Sequence, residues 1–363
     1  INNESTVTNY SLVTTVARNL RLYTRRQRLK IAEAMRLYEL VGRPSHATFM
    51  RMIVQNQLPN CPITIDDGKN MLHAYGPDAA ALKGKTTRRT APHVASNQRI
   101  PLDSRILAAH EEITLCADIF FVDRLPFLLT VSRNIRFFTI HSLTHRAMET
   151  HILPKLRHLK QIYRARGFRV TTIHTDPEFR SLEAPLLVDD IILNTCAAGE
   201  HVPEAERGIR TVKERNRATV AGLPYQRYPR LLKREIVKQA AMWLNMFPHP
   251  DGVSEVLSPR AIVTGIQADF NTHCRVPIGA YCEVHDEPNP TNTETERTTT
   301  AIALGPTTNL QGSYYFMSLQ TGQRISRRSW TEKPATPAVI ERVHALANSE
   351  NHALLVDDPF FFE

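Results

Sequence analysis

Three apolar runs follow one another between residues 113 and 140, and a stretch of helical spacing and a fourth apolar run come after them. Residues 113–122 (ITLCADIFFV), 126–131 (PFLLTV) and 135–140 (IRFFTI) are each of strand length. Their short connections suit antiparallel neighbours, so the three predict a meander. From 147 to 167 the apolar residues Ile152, Leu156, Leu159 and Ile162 recur at helical spacing, and 168–173 (FRVTTI) reads as a fourth strand. A helix between strands three and four turns the meander into an α/β arrangement, which excludes an all-helical or purely antiparallel core.

Three strands, a helix and a fourth strand are how the ribonuclease H type of α/β fold opens. In that layout the middle of strand one lies beside the end of strand four. Asp118 stands in the apolar interior of the first strand, where an unpaired carboxylate is costly. The fourth strand runs out at Ile173-His174-Thr175-Asp176-Pro177-Glu178-Phe179. Asp before Pro is a common turn opener, so Asp176 reads either as a turn residue or as a ligand. Two carboxylates side by side repel each other, and a divalent cation is the ordinary remedy, which favours the ligand. A third acid is expected from a helix over 201–217 (HVPEAERGIRTVKERNR), begun by Pro203. Glu206, Arg210, Lys213 and Arg217 fall on one face of it, a carboxylate followed by three cations. Such a face suits phosphodiester cutting, the acid holding a metal and the cations a strand. A solvated ion-paired helix would present the same face.

The flanks carry less chemistry. Thr24 to Gln27 has the form of a capping box, with apolar positions running to a stop at Gly42. Ser45 can cap a second helix, and a third fits 67–75, closed by Gly76. Arg18, Arg21, Arg25, Arg26, Arg28 and Lys30 make this region a DNA-contacting bundle or a solvated basic face. Residues 77–104 keep no period and carry Lys83, Lys85, Arg88 and Arg89, as expected of a basic linker along a phosphate backbone or of an exposed tether. Residues 231–247 read as an amphipathic helix that closes the core or forms a dimer face. Short β runs at 280–285, 299–304, 312–319 and 323–330 predict a small barrel, followed by a helix near 339–347. The domains expected are therefore a helical one over 1–76, the linker over 77–104, the α/β core over 105–268, a β-barrel over 269–334 and a helix and tail over 335–363.

A formal charge of +9 across 363 residues points to a polyanionic partner such as nucleic acid. The five cysteines show no CxxC spacing, which disfavours a disulfide framework and a closed zinc site and fits a reducing compartment. No run is long enough to span a membrane, and no signal peptide opens the chain. Because residue 1 is Ile rather than Met, a polyprotein fragment or a trimmed domain is expected.

The trio CADIFFVDRLPFLLTVS, IHTDPEF and ERGIRTVKERNR resembles the catalytic core of retroviral-type integrases, most closely those of copia-type long-terminal-repeat retrotransposons. Residues 258–265 (SPRAIVTG) are similar to the segment that closes that core, and the resemblance is best between about 105 and 268. It implies a ribonuclease H-like core, a mixed five-stranded sheet flanked by helices, with a catalytic and metal-binding trio of Asp118, Asp176 and Glu206. It also implies two Mg²⁺ (or Mn²⁺) ions, 3′-end processing and strand transfer between element DNA ends and target DNA, and DNA contacts from Arg210 and Lys213. A homo-multimer, other polyprotein products as partners, and a cytoplasmic particle followed by the nucleus come with the same resemblance. In two places the chain departs from the family. The step from Asp176 to Glu206 is shorter and HVPEAE replaces the usual turn, which leaves Glu204 as a second candidate ligand. The family's amino-terminal His-His-Cys-Cys zinc module is absent, since Cys61 has no neighbouring partner. A metal-dependent nuclease or transposase that cuts without joining, and a relic that only binds DNA, are the competing functions.

Overall fold

The computed structural model describes residues 13–86, 99–144, 147–196, 202–286, 294–307 and 311–350. It divides into two compact units, one drawn from segments within 1–94, 221–232 and 274–352, the other from segments within 95–220 and 233–273. The first unit opens with α1 (Val16–Arg21), α2 (Arg25–Leu40), α3 (His46–Val54), α4 (Ile65–Tyr75) and α5 (Ala79–Lys85). Each starts where a side chain can satisfy an orphan backbone N–H. Thr24 and Gln27 form a reciprocal capping box at α2, Thr64 and Asp67 another at α4, and Ser45 and Asp78 cap α3 and α5. Ile31, Ala34, Tyr38, Phe49, Met71 and Ala74 close the core between these helices.

The second unit contains α6 (Ser104–His110), β1 (Glu112–Val122), β2 (Leu125–Ser132), β3 (Phe138–Ser142), α7 (Leu153–Arg164), β4 (Arg169–Thr175), α8 (Glu183–Val188) and β5 (Ile192–Thr195). It continues through α9 (Pro203–Ala221), α10 (Arg230–Met246), α11 (Pro259–Thr264) and α12 (Phe270–His273). The five strands form one mixed sheet in the order β3-β2-β1-β4-β5, with β1, β2 and β3 antiparallel and β4 and β5 parallel to β1. Strand alternation sorts β1 into two faces. Ile113, Leu115, Ala117 and Ile119 pack with Leu156, Leu159 and Tyr163 of α7, while Cys116 and Phe120 pack with Ala205 and Val212 of α9 and Val237 of α10. The sheet is therefore sandwiched between helices, and its order and directions are those of the ribonuclease H-like core.

The last elements among the described residues are β6 (Tyr281–His285), β7 (Thr298–Pro306), β8 (Tyr314–Ser318), β9 (Arg324–Arg327), β10 (Trp330–Lys333) and α13 (Pro337–Ser349), all in the first unit. These strands pair antiparallel in the order β10-β6-β7-β8-β9. The two edge strands, β9 and β10, follow each other in sequence. Among the described residues no helix is long and apolar enough to cross a membrane.

Several boundaries differ from the sequence reading, each for a local reason. The third strand begins at Phe138 rather than at residue 135, because Arg136 takes φ 62° and the turn is closed by Phe137 N–H donating to Ser132 Oγ. The helix after it is split: a wide turn, Met148–Ile152, precedes α7, and Pro154 stands at the start of α7, where its missing N–H is tolerated. The final β run breaks at Arg328 and Ser329 into two strands. Residues 79–85 are not a linker but a capped helix, and Arg297 N–H donates to the Lys83 carbonyl. The N-terminal helices and the C-terminal sheet, read as separate domains from the sequence, share one unit.

Candidate active site

Alternation along β1 places Asp118 on the face between Cys116 and Phe120, the face covered by α9. Its partner across the antiparallel pair is Leu129. On the parallel side Cys116 is in register with His174. Two residues further along each chain come Asp118 and Asp176, the latter just beyond the last residue of β4. Asp176 occupies the N-cap position of a short 3₁₀ turn, Pro177–Leu182, yet its side chain makes no capping hydrogen bond. Its carbonyl, not its carboxylate, accepts from Phe179 N–H. The turn thus uses the backbone of Asp176, and the carboxylate is not committed to it.

Burial first and the Asp176 charge second push the Asp118 carboxyl up from 3.8 to about 6, with further contributions from Glu178 and Glu206. The Ile119 N–H, donating to the carboxylate, opposes the rise. Four acids from β1, the turn after β4 and the first turn of α9 therefore share one electrostatic neighbourhood. Glu178 was not singled out in the sequence, although it stands inside the stretch that carries Asp176. Position alone, two residues past Asp176, was the available signal.

α9 lies close on the sheet because Ala205, Gly208 and Val212 form its buried stripe. A Cβ added at Gly208 would lie 2.9 Å from Phe138 Cε1 and 3.5 Å from Leu129 Cδ2, so only glycine permits this approach. The two candidate acids of this helix leave it in different directions. Glu204 turns to the residue that follows β2, where its Oε1 accepts from Arg133 Nε at 2.9 Å and its side chain is 15% exposed. Burial raises the Glu204 carboxyl, but its backbone hydrogen bond and the Arg133 charge outweigh this and hold it below the ordinary value. Glu206 is exposed and contributes to the field at Asp118.

The cations predicted to hold nucleic acid are distributed unevenly. Arg210 is ion-paired with Glu214 at 3.1 Å, the Lys213 ammonium stands 5.8 Å from the Phe120 ring centroid, and Arg217 is exposed. Lys83 and Lys85 belong to the other unit, where Lys83 pairs with Glu296 at 3.0 Å and Lys85 donates to the Arg43 carbonyl. They are engaged within that unit rather than carried on an extended linker. Arg88 and Arg89 lie outside the described residues.

Carboxylate oxygens are hard donors, and a buried acid crowded by like charges is the chemistry a divalent cation relieves. In donor type the group fits such an ion. As the side chains stand, no three or more His, Cys, Asp or Glu residues among those described converge into a ready metal cage.

No protein-family model matches the chain, and no curated protein does. Solved structures to which it is similar include the catalytic core domain of BIV integrase, at 16% identity and a TM-score of 0.30, covering 41% of this chain and 92% of that one. A likeness at that level carries no argument, and the fold assignment rests on strand order and direction.

Proposed function

We propose that this chain is a polynucleotidyl transferase of the retroviral-type integrase class, of copia-type kinship, which processes the 3′ ends of element DNA and joins them to target DNA. The observation that carries the reading is the raised Asp118 carboxyl, buried in β1 and crowded by Asp176, Glu178 and Glu206. Asp118 and Asp176 would hold Mg²⁺ or Mn²⁺, and Glu206 would close on the ion from α9. Two such ions, when bound, supply charge neutralisation at the attacking and leaving oxygens of an in-line displacement at phosphorus. The chain's own residues do the rest. Asp118 holds its proton up to about pH 6, where a cation competes for the carboxylate, and the face of α9 that carries the exposed Arg210 and Arg217, with the half-buried Lys213 between them, meets the phosphate backbone. A homo-multimer, release from a polyprotein, and passage from a cytoplasmic particle to the nucleus belong to the same proposal.

The test uses a labelled blunt DNA end and a target duplex in Mg²⁺ or Mn²⁺. With a free 3′ hydroxyl, joined products are expected; with a dideoxy-terminated end that needs no trimming, joining should stop. Cutting of target DNA that ignores the state of the 3′ end would instead make the chain a nuclease. Binding with neither cutting nor joining would make it a relic.

A further inference from the structure

We propose that the Arg133–Glu204 ion pair is the positioning element of this site: it fixes the first turn of α9 to the sheet and so aims Glu206 toward Asp118. The inference rests on the reading of Asp118, Asp176 and Glu206 as a metal site. Residue 202, just before α9, is Val, which cannot cap a helix, so the first turn of α9 begins without the usual side-chain anchor from that position. The ion pair takes up that task from outside the helix. Arg133 is itself fixed, since its N–H donates to the Thr114 carbonyl of β1 at 3.0 Å. From there its Nε reaches Glu204 Oε1 at 2.9 Å. Glu204 lies over the buried Cys116, whose thiol is pushed up to about 12 by burial first and by the Glu204 charge second. Thr114, Cys116 and Asp118 are successive same-face positions of one strand, so the anchor and the candidate ligand share a rigid base.

Glu204 and Glu206 are two positions apart and leave the helix roughly 200° apart. They cannot serve one ion together, but fixing the direction of one fixes that of the other. The carboxylate at 204 then serves orientation, and Glu204 is a positioning residue rather than a ligand. Sequence alone could not show this, because Arg133 and Glu204 are 71 positions apart.

The test is calorimetric titration of the full chain with Mn²⁺, alongside melting without metal. Arg133→Gln and Glu204→Gln should each weaken Mn²⁺ binding about 10-fold, the lower end of what outer-shell partners of a metal site carry. Arg133→Lys, which keeps the charge, should bind within about 2-fold of the native chain. Asp118→Asn is the reference for loss of a ligand. Arg133 is 46% exposed, so Arg133→Lys, which keeps a charge beside Glu204, should melt with the native chain in the absence of metal, whereas Arg133→Gln leaves the 15%-exposed Glu204 carboxylate unpaired and should melt somewhat lower. Native affinity in both Gln variants, beside clear loss in Asp118→Asn, overturns the proposal. So does a Glu204→Gln loss equal to that of Asp118→Asn with Arg133→Gln unaffected, which would make Glu204 the ligand. Loss that Arg133→Lys fails to rescue, with lowered melting, would reduce the pair to general stability. Absence of Mn²⁺ binding in the native chain, or binding untouched by Asp118→Asn, would remove the metal-site reading itself and the proposal with it.

Discussion

Asp118 is the residue on which the proposed chemistry turns, because burial and the neighbouring Asp176 make its ionised form costly. Its folded value, raised to about 6, exceeds the 3.8 of an ordinary Asp, so the folded state binds its proton more tightly than the unfolded one does. The corresponding stability is fully present below about pH 4 and is lost as the pH rises through about 6. Asp118→Asn removes that loss. The metal-free variant is expected to melt above the native chain at pH 7.5 and to converge with it near pH 4, which parallel melting series would check. Mn²⁺ binding should show the opposite trend, since the ion must displace a proton. Affinity should rise steeply up to about pH 6 and flatten above it; a flat profile across that range would exclude Asp118 as a ligand.

At the scale of elements, α9 decides whether three acids can meet. Gly208 sets its distance from the sheet, and Gly208→Ala pits better helix propensity, worth about 1 kcal/mol, against a contact of 2.9 Å to the buried Phe138 ring. Overpacking of a buried contact costs about 1–3 kcal/mol, so a net loss of about 1 kcal/mol is expected in denaturant unfolding, with weaker Mn²⁺ binding. On the outer face, Arg217→Gln should weaken DNA binding for all sequences alike and lower the salt slope by about one. An unchanged slope would place the DNA elsewhere. Much at this scale was legible in the sequence. The capping boxes at Thr24 and the Ser45 cap emerged because caps are local, and Ser258-Pro259 and Gly265 bound α11 as punctuation residues do. What was not legible depended on distant partners or on one turn's dihedral. Asp78 before three alanines was a readable cap for α5, masked by the lysines and glycine that follow it. The Arg133–Glu204 contact, which bears on the two candidate acids of α9, joins residues that no periodicity connects.

For the whole molecule, a formal charge of +9 is spread over two units, only one of which holds the acidic cluster. Part of that charge is internally compensated, as in the Lys83–Glu296 and Arg327–Asp286 pairs, so net charge overstates the surface offered to a nucleic acid. The central claim is that Asp118, Asp176 and Glu206 act as one metal-dependent site. Its most direct test is DNA joining in Mg²⁺ by the native chain beside Asp118→Asn, Asp176→Asn and Glu206→Gln, with DNA binding measured for each. Joining by the native chain that disappears in all three variants, while DNA binding persists, is the predicted result. Joining that survives in any one of them would contradict the account.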